Sequence, residues 1–95
     1  MEFSNDEQGA GQLKARLRSR TGTVSEVVVR DLSVGGCLVE TRTLPIKVDE
    51  RVLIQLPELS YRPVNVVWTE EGQTGLAFEE ALYEPVVEHL KRSIA

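Results

Sequence analysis

Residues 13–30, LKARLRSRTGTVSEVVVR, decide the fold of this 95-residue chain. From Leu13 to Arg20, three apolar residues at odd positions alternate with cations at even positions, which is the period of a strand with one buried and one cationic side. Thr21-Gly22 predicts a turn, because glycine adopts positive φ without steric penalty. The β-branched run Val24–Arg30 predicts a second strand, so the two segments should pair as an antiparallel hairpin.

Four further short strands follow, at residues 37–41, 51–56, 62–69 and 74–78. The period then changes, because Val86, Val87, Leu90 and Ile94 fall on one face of a helix that has Pro85 at its first position. The predicted fold class is all-β with one helix: a six-stranded antiparallel β-barrel whose C-terminal α-helix covers one opening.

Composition limits the classes of protein. A net charge of −4, with 41% hydrophobic and 27% charged residues, is typical of one globular domain. We expect residues 1–12, polar and acidic, to form a flexible N-terminal leader, and residues 13–95 to form the barrel domain. A single Cys excludes an internal disulfide, and we expect no membrane association and a cytoplasmic location.

No constellation typical of catalysis is present. His89 is the only histidine and lies on the flank of the predicted helix, and Cys37 begins an apolar strand, where a buried thiol is expected. One Cys and one His cannot form a structural zinc site, and the adjacent acid pairs lie at turns. There is no phosphate-binding Gly-rich motif. We therefore predict a protein that is not an enzyme, with no metal and no cofactor.

The charge is unevenly distributed. Residues 14–30 contain five cations and one acid, a net of +4, so the other 78 residues carry −8. Alternate side chains share a face of a strand, so most of these cations should project together. Two interpretations stay open: a solvated outer face, neutralised in part by the chain's own acids, or a site for phosphate, nucleotide or an acidic partner.

The segment DLSVGG, residues 31–36, interrupts the strand pattern. Asp31 and Ser33 can cap backbone N–H groups in a turn, and Gly35-Gly36 can take conformations closed to other residues. A plain turn or bulge would account for these residues without any ligand. The same residue types would also form a polar concavity in which a flat heterocycle can approach the backbone.

These residues resemble the PilZ domain, a bacterial receptor module for cyclic di-GMP. Asp31, Ser33 and Gly36 match the family's D/N-x-S-x-x-G motif, and residues 65–78, NVVWTEEGQTGLAF, resemble its last hairpin, with Trp68 before the turn. The resemblance covers residues 13–95. It implies a non-catalytic six-stranded barrel in which Asp31 and Ser33 contact a guanine and Gly36 permits close approach of the ligand.

One motif departs from the family pattern. A family R-x-x-x-R motif just before the first strand supplies arginines to the phosphates and guanines, but residues 1–13 contain no Arg or Lys. That spacing occurs here as Arg16 to Arg20, inside the predicted first strand, whose alternation already accounts for it. Arg16, Arg18 and Arg20 are the cations available for phosphate or guanine contacts. Trp68, on the face of Val64 and Val66, is expected in the core or at the barrel rim.

Three functional hypotheses follow. The first is a non-enzymatic PilZ regulatory module that responds to cyclic di-GMP and acts by contact with a partner protein. The second is a degenerate adaptor that no longer binds the nucleotide and works by protein–protein interaction alone. The third is a nucleic-acid binder of the OB or SH3 type that uses the cationic strand, which the acidic remainder and the lack of aromatics beside Lys14–Arg20 disfavour.

Overall fold

The computed structural model of the protein describes residues 12–42 and 44–94. The strands are β1 (Leu13–Arg18), β2 (Val24–Leu32), β3 (Gly36–Glu40), β4 (Arg51–Gln55), β5 (Arg62–Glu70) and β6 (Gln73–Phe78), followed by the helix α1 (Glu84–Lys91) and a 3-10 turn (Arg92–Ile94). Apart from Gln12, the predicted leader lies outside the described residues.

The six strands form a closed antiparallel barrel in the order β1-β2-β3-β6-β5-β4. Sequential hairpins join β1 to β2, β2 to β3, β4 to β5 and β5 to β6, while β3 pairs with β6 and β1 pairs with β4 to close the cylinder. Closure gives each of these strands two neighbours, so none of the six presents an unpaired edge. The predicted barrel with a C-terminal helix is therefore confirmed.

The predicted alternation is visible in the burial of β1, where Leu13, Ala15 and Leu17 point into the core and the intervening cations are exposed. Inward side chains of all six strands join Leu82, Val87 and Leu90 in one apolar cluster. Helix α1 thus packs its apolar stripe onto the barrel, and a hydrogen bond from Leu82 N to Val34 O (2.9 Å) holds the connection to it in place. No described helix is long and apolar enough to cross a membrane.

The two ends of the barrel differ. The end that carries the β2–β3 loop, the β4–β5 loop and α1 is called the capped end, and His89 of α1 there lies 3.4 Å from Glu58 of the β4–β5 loop. The opposite end, formed by the β1–β2 turn, the β3–β4 connection and the β5–β6 turn, is called the open end.

The strand boundaries on either side of residues 33–35 differ from the predicted ones. Strand β2 continues through Asp31 and Leu32, and β3 begins at Gly36, so the loop between them is only residues 33–35. The extension is made possible by a register shift between Val29 and Asp31. Without an extra residue, period two would place Asp31 on the core face with Val29, where a carboxylate is costly to bury. With the shift, Asp31 is exposed and Leu32 is buried.

Strand β5 has a second register shift, between Val66 and Trp68. Val64 and Val66 are buried, whereas Val67 and Trp68 are both exposed. Of the two places expected for Trp68, core or barrel rim, the core is therefore wrong, because the bulge interrupts the alternation beyond Val66 and turns the indole outward.

Gly36 is held very close to strand β6. A Cβ added to Gly36 would overlap the carbonyl oxygen of Leu76, a backbone atom that cannot rotate away. Gly36 pairs with Ala77, so this contact lies at the first rung of the β3–β6 ladder. The expectation that Gly35-Gly36 takes conformations closed to other residues is wrong, because neither has positive φ. Gly36 is required by the close approach of two strands.

This contact generates a stability prediction with an internal control. Gly36→Ala should destabilise the protein by about 2 kcal/mol or more, since overpacking against backbone forces the strands apart. Gly35→Ala, whose Cβ would meet nothing within 4 Å, should change stability by less than about 0.5 kcal/mol. Urea denaturation followed by circular dichroism measures both, and equal destabilisation by the two substitutions would contradict the β3–β6 constraint.

Candidate functional site

The candidate site is a shallow pocket of about 240 Å³ on the outer wall of the barrel, beside the β2–β3 loop. Its centre is a row of cross-strand partners that runs over four strands: Asp31 pairs with Leu38, Leu38 with Gly75, and Gly75 with Trp68. Both bulges fall at the outer ends of this row. They turn a carboxylate and an indole to the same face, with Leu38 and Gly75 between them.

One carboxylate oxygen of Asp31 accepts a hydrogen bond from the protein backbone. Its Oδ1 accepts a hydrogen bond from the backbone N–H of Leu32 (2.9 Å), which fixes the side chain against its own strand. A carboxylate held in this way still has acceptor capacity on both oxygens. It is suited to a neighbouring pair of N–H donors on a planar ligand.

Ser33 organises the three-residue loop. Its backbone N–H donates to Gly36 O (2.9 Å), its Oγ accepts from Gly35 N–H (3.3 Å), and the hydroxyl donates to Gly36 O (3.3 Å). The predicted capping role of Ser33 is confirmed. The loop is tied again at Gly35, whose carbonyl accepts from Phe78 N–H (2.9 Å), so the polar rim of the pocket is set by β6.

Trp68 forms the opposite wall, and its side chain is 41% exposed. The indole lies over Gly75, where an added Cβ would overlap the ring. A glycine opposite an aromatic residue lets the ring cover the strand backbone that would otherwise be bare. The exposed face of the ring is therefore held flat at the edge of the pocket.

Cys37 lies in the wall of the pocket but is 8% exposed. Burial raises the pKa of its thiol to about 12, because the surrounding apolar side chains disfavour the thiolate. The expected buried thiol is confirmed. A neutral thiol at physiological pH contributes packing to the pocket and no nucleophile.

The structure brings Asp31, Ser33 and Gly36 together and separates them from Arg16, Arg18 and Arg20. None of the residues that line the pocket is a Lys or an Arg. In the β1–β2 ladder, the backbone of Arg16 lies opposite that of Glu26. Glu26 is five residues before Asp31 on β2, so Arg16 lies roughly 16 Å along the strand from the motif. Arg18 and Arg20 lie still nearer to the open end.

The cationic side of β1 is neutralised only in part by the chain's own acids. Lys14 Nζ lies 4.0 Å from Glu26 Oε1, and Arg30 Nη1 lies 3.1 Å from Glu40 Oε2. Within residues 12–42 and 44–94, Arg16, Arg18 and Arg20 form no ion pair. These arginines remain available for an anion, but at a different place from the pocket.

An ion pair between β4 and the segment after β6 has a stronger geometry. Arg51 donates to both oxygens of Glu79 (2.6 and 3.2 Å), and Asn65 donates to Oε2 of the same carboxylate (3.3 Å). The hydrogen bond from Arg51 holds the pKa of Glu79 below its ordinary value. This pair fastens the segment after β6 to β4 and β5.

The sequence predicts the side of the pocket formed by the motif but not the side formed by β5. Trp68, Val67 and Leu38 are lining residues that were not predicted. The only signal for Trp68 was Gly75 in the next strand, and the pairing of the two depends on a bulge. Within the described residues, no group of three or more His, Cys, Asp or Glu could hold a metal ion.

The structure is thus a small six-stranded β-barrel domain in which a D-x-S-x-x-G loop and an exposed tryptophan line opposite sides of one pocket. The family model of the PilZ domain matches residues 11–95, and the chain belongs to this family. PilZ domains are receptor modules for cyclic di-GMP and are generally non-catalytic binding modules.

A solved structure supports the fold. The crystal structure of the PilZ domain of CeSA from a cellulose-synthesizing bacterium matches with a TM-score of 0.60 at 17% sequence identity, over 82% of this chain and 83% of that one. At this identity the likeness concerns the fold alone. No curated protein matches the chain significantly.

The state of the Cys37 thiol can be tested directly. A pKa raised from 9.0 to about 12 lowers the thiolate fraction at pH 8 about a thousandfold, so a disulfide reagent should label native protein at least a hundredfold more slowly than urea-unfolded protein. Absorbance of the released thiol measures both rates. Similar rates in the two states would contradict a buried, neutral Cys37.

Proposed function

We propose that this protein is a regulatory module that holds a guanine of cyclic di-GMP in the pocket between Asp31 and Trp68. One observation carries the proposal: two bulges on one cross-strand row turn these two side chains outward onto a shared pocket. Guanine presents N1–H and N2–H donors side by side, which suit a carboxylate, and its flat ring suits an indole. Ser33 supplies a further hydroxyl at the rim, and Gly36 keeps the loop close to β6.

The pocket offers fewer favourable contacts to the phosphates of the nucleotide than to its base. Among the described residues, the lining of the pocket contains no cation, and Arg16, Arg18 and Arg20 lie toward the open end. Charge-assisted hydrogen bonds to phosphate are roughly twice as strong as neutral ones, so their loss weakens binding substantially. We therefore expect an affinity on the order of tens of micromolar or weaker, with little dependence on salt.

The single tryptophan makes the pocket its own reporter. Titration of the protein with cyclic di-GMP should change Trp68 fluorescence saturably, and calorimetry should give the same dissociation constant. Asp31→Asn should weaken binding at least about tenfold, because it removes the charge that accepts both guanine donors. Asp49→Asn is the matched control: it also neutralises an exposed acid, and asparagine tolerates the φ of 74° at that position.

Cyclic di-AMP provides the ligand control, because adenine has an acceptor at N1 in place of the N–H of guanine. No change in fluorescence and no heat with cyclic di-GMP at millimolar concentration would overturn the proposal. Equal binding of both dinucleotides, or equal loss in Asp31→Asn and Asp49→Asn, would contradict the assigned guanine contact.

The position of the arginines leads to a separate prediction. The double substitution Arg16→Ala/Arg20→Ala should leave the affinity for cyclic di-GMP within about twofold, since both side chains lie away from the pocket and exposed charges are screened beyond roughly 10 Å. Calorimetry at near-physiological salt measures it. A tenfold loss would mean that these cations reach the nucleotide after all.

A second candidate function is favoured by that same separation. Residues 1–13 contain no Arg or Lys, and Arg16, Arg18 and Arg20 lie toward the opposite end from the motif. A chain without phosphate contacts would act as an adaptor through protein–protein interaction alone. In both cases we propose that the output is contact with a partner protein in the cytoplasm, and the titration above decides whether the nucleotide controls it.

A further inference from the structure

The open end of the barrel carries a cleft of about 600 Å³, much larger than the motif pocket. Its floor is formed by Leu17 and Val52, each 3% exposed, and one wall is formed by Leu44, Pro45 and Ile46 of the β3–β4 connection. We call this surface, defined by these five residues, the open-end cleft. Most of its lining is apolar, and its volume is in the range of protein sites that hold a ligand or an anchoring side chain.

Both walls of the open-end cleft are fixed by backbone hydrogen bonds. On the side of the β1–β2 turn, Ser19 N–H donates to Thr23 O (2.9 Å) and Gly22 N–H donates to Ser19 O (3.0 Å). On the opposite side, Leu44 N–H donates to Thr41 O (2.8 Å), and Ile46 N–H donates to Leu44 O (2.9 Å). A cleft with formed walls binds without the entropy cost of ordering them.

The charge around the open-end cleft is positive on one side. Arg20 lines the cleft and also an adjoining groove of about 480 Å³ that it shares with Arg18. Neither arginine has an ion-pair partner within the part of the chain that the structure describes. The one acid in the lining, Glu50, accepts a hydrogen bond from Lys47 N–H (3.1 Å) and is thereby turned to its own loop.

From this combination we propose that the open-end cleft is a docking site for an acidic peptide segment of a partner protein. One large apolar side chain of that segment fills the space above Leu17 and Val52, and flanking Asp or Glu residues pair with Arg18 and Arg20. An apolar anchor in a preformed pocket, with charges at its rim, is the usual source of affinity and orientation in such contacts. The cleft shares no lining residue with the motif pocket on the outer wall, so this proposal stands apart from nucleotide binding.

The test is a selection of random peptides displayed on phage, with the full chain as bait. Selected peptides should share one Phe, Leu, Ile or Met flanked by Asp or Glu. A synthetic peptide of the consensus is then titrated by calorimetry. Arg20→Glu, which leaves the floor and walls untouched, should weaken its binding roughly threefold to tenfold, and the loss should shrink at high salt. Lys91→Glu on α1, with the same change of net charge, should have no effect.

A second pair of variants tests the apolar anchor. Ile46→Asp should abolish binding of the consensus peptide, whereas Val34→Asp, an equal change at an exposed residue of the β2–β3 loop at the capped end, should leave it intact. Because Ile46 packs partly on the core, circular dichroism of each variant accompanies the titration, and Arg20→Glu decides the question if Ile46→Asp unfolds.

Several results would overturn the proposal. Selection of basic peptides, or of none, removes the stated chemistry. A consensus peptide that binds Arg20→Glu and wild type equally does not use this surface. Dimerisation in sedimentation experiments that is lost in Ile46→Asp would assign the cleft to a second copy of the chain.

Discussion

The contact between Gly36 and the backbone of β6 is the constraint on which the rest of the structure depends. It lets β3 lie against Leu76 and Ala77 at the first rung of their ladder, which joins the two halves of the barrel. The same rung places the three-residue β2–β3 loop beside Phe78, whose N–H donates to Gly35 O. The loop with Ser33 is therefore positioned by strand packing. A ligand that binds there meets a rim whose backbone is already satisfied.

Two bulges convert this scaffold into a site. In a strictly alternating barrel, Asp31 would follow Val29 into the core and Trp68 would follow Val66. One extra residue in each strand reverses both, and the two shifts occur on the same row of cross-strand partners. Bulges that re-aim a side chain are common near binding sites, because they expose a polar or aromatic group without disturbing the strands on either side. Here the bulges leave Leu32 and Val66 in the core, while Asp31 and Trp68 face solvent.

Most of the fold could be predicted from the sequence, because burial on one side of each strand imposes a period of two that residues such as Leu13, Ala15 and Leu17 display directly. The helix was equally visible from Val86, Val87 and Leu90. The bulges were not, since an extra residue in a strand is defined by its partner strand, and Gly36 and Trp68 are explained only by what lies opposite them. The spacing of Asp31 and Ser33 predicts that they lie close together, and both line one pocket, whereas the expectation of an unusual backbone conformation at Gly36 was wrong.

The cations of β1 and the motif at residues 31–36 lie on different parts of the barrel, although they are close in the sequence. The antiparallel hairpin carries Arg18 and Arg20 to the end of the barrel opposite Asp31. If a guanine binds in the motif pocket as proposed, its hydrogen bonds there would depend little on salt, while an acidic partner at the open end would be attracted through exposed charges that salt screens. The two proposed surfaces would then respond differently to ionic strength. A single barrel of this size can carry both surfaces because one lies on its outer wall beside the β2–β3 loop and the other lies at its open end, with no lining residue in common.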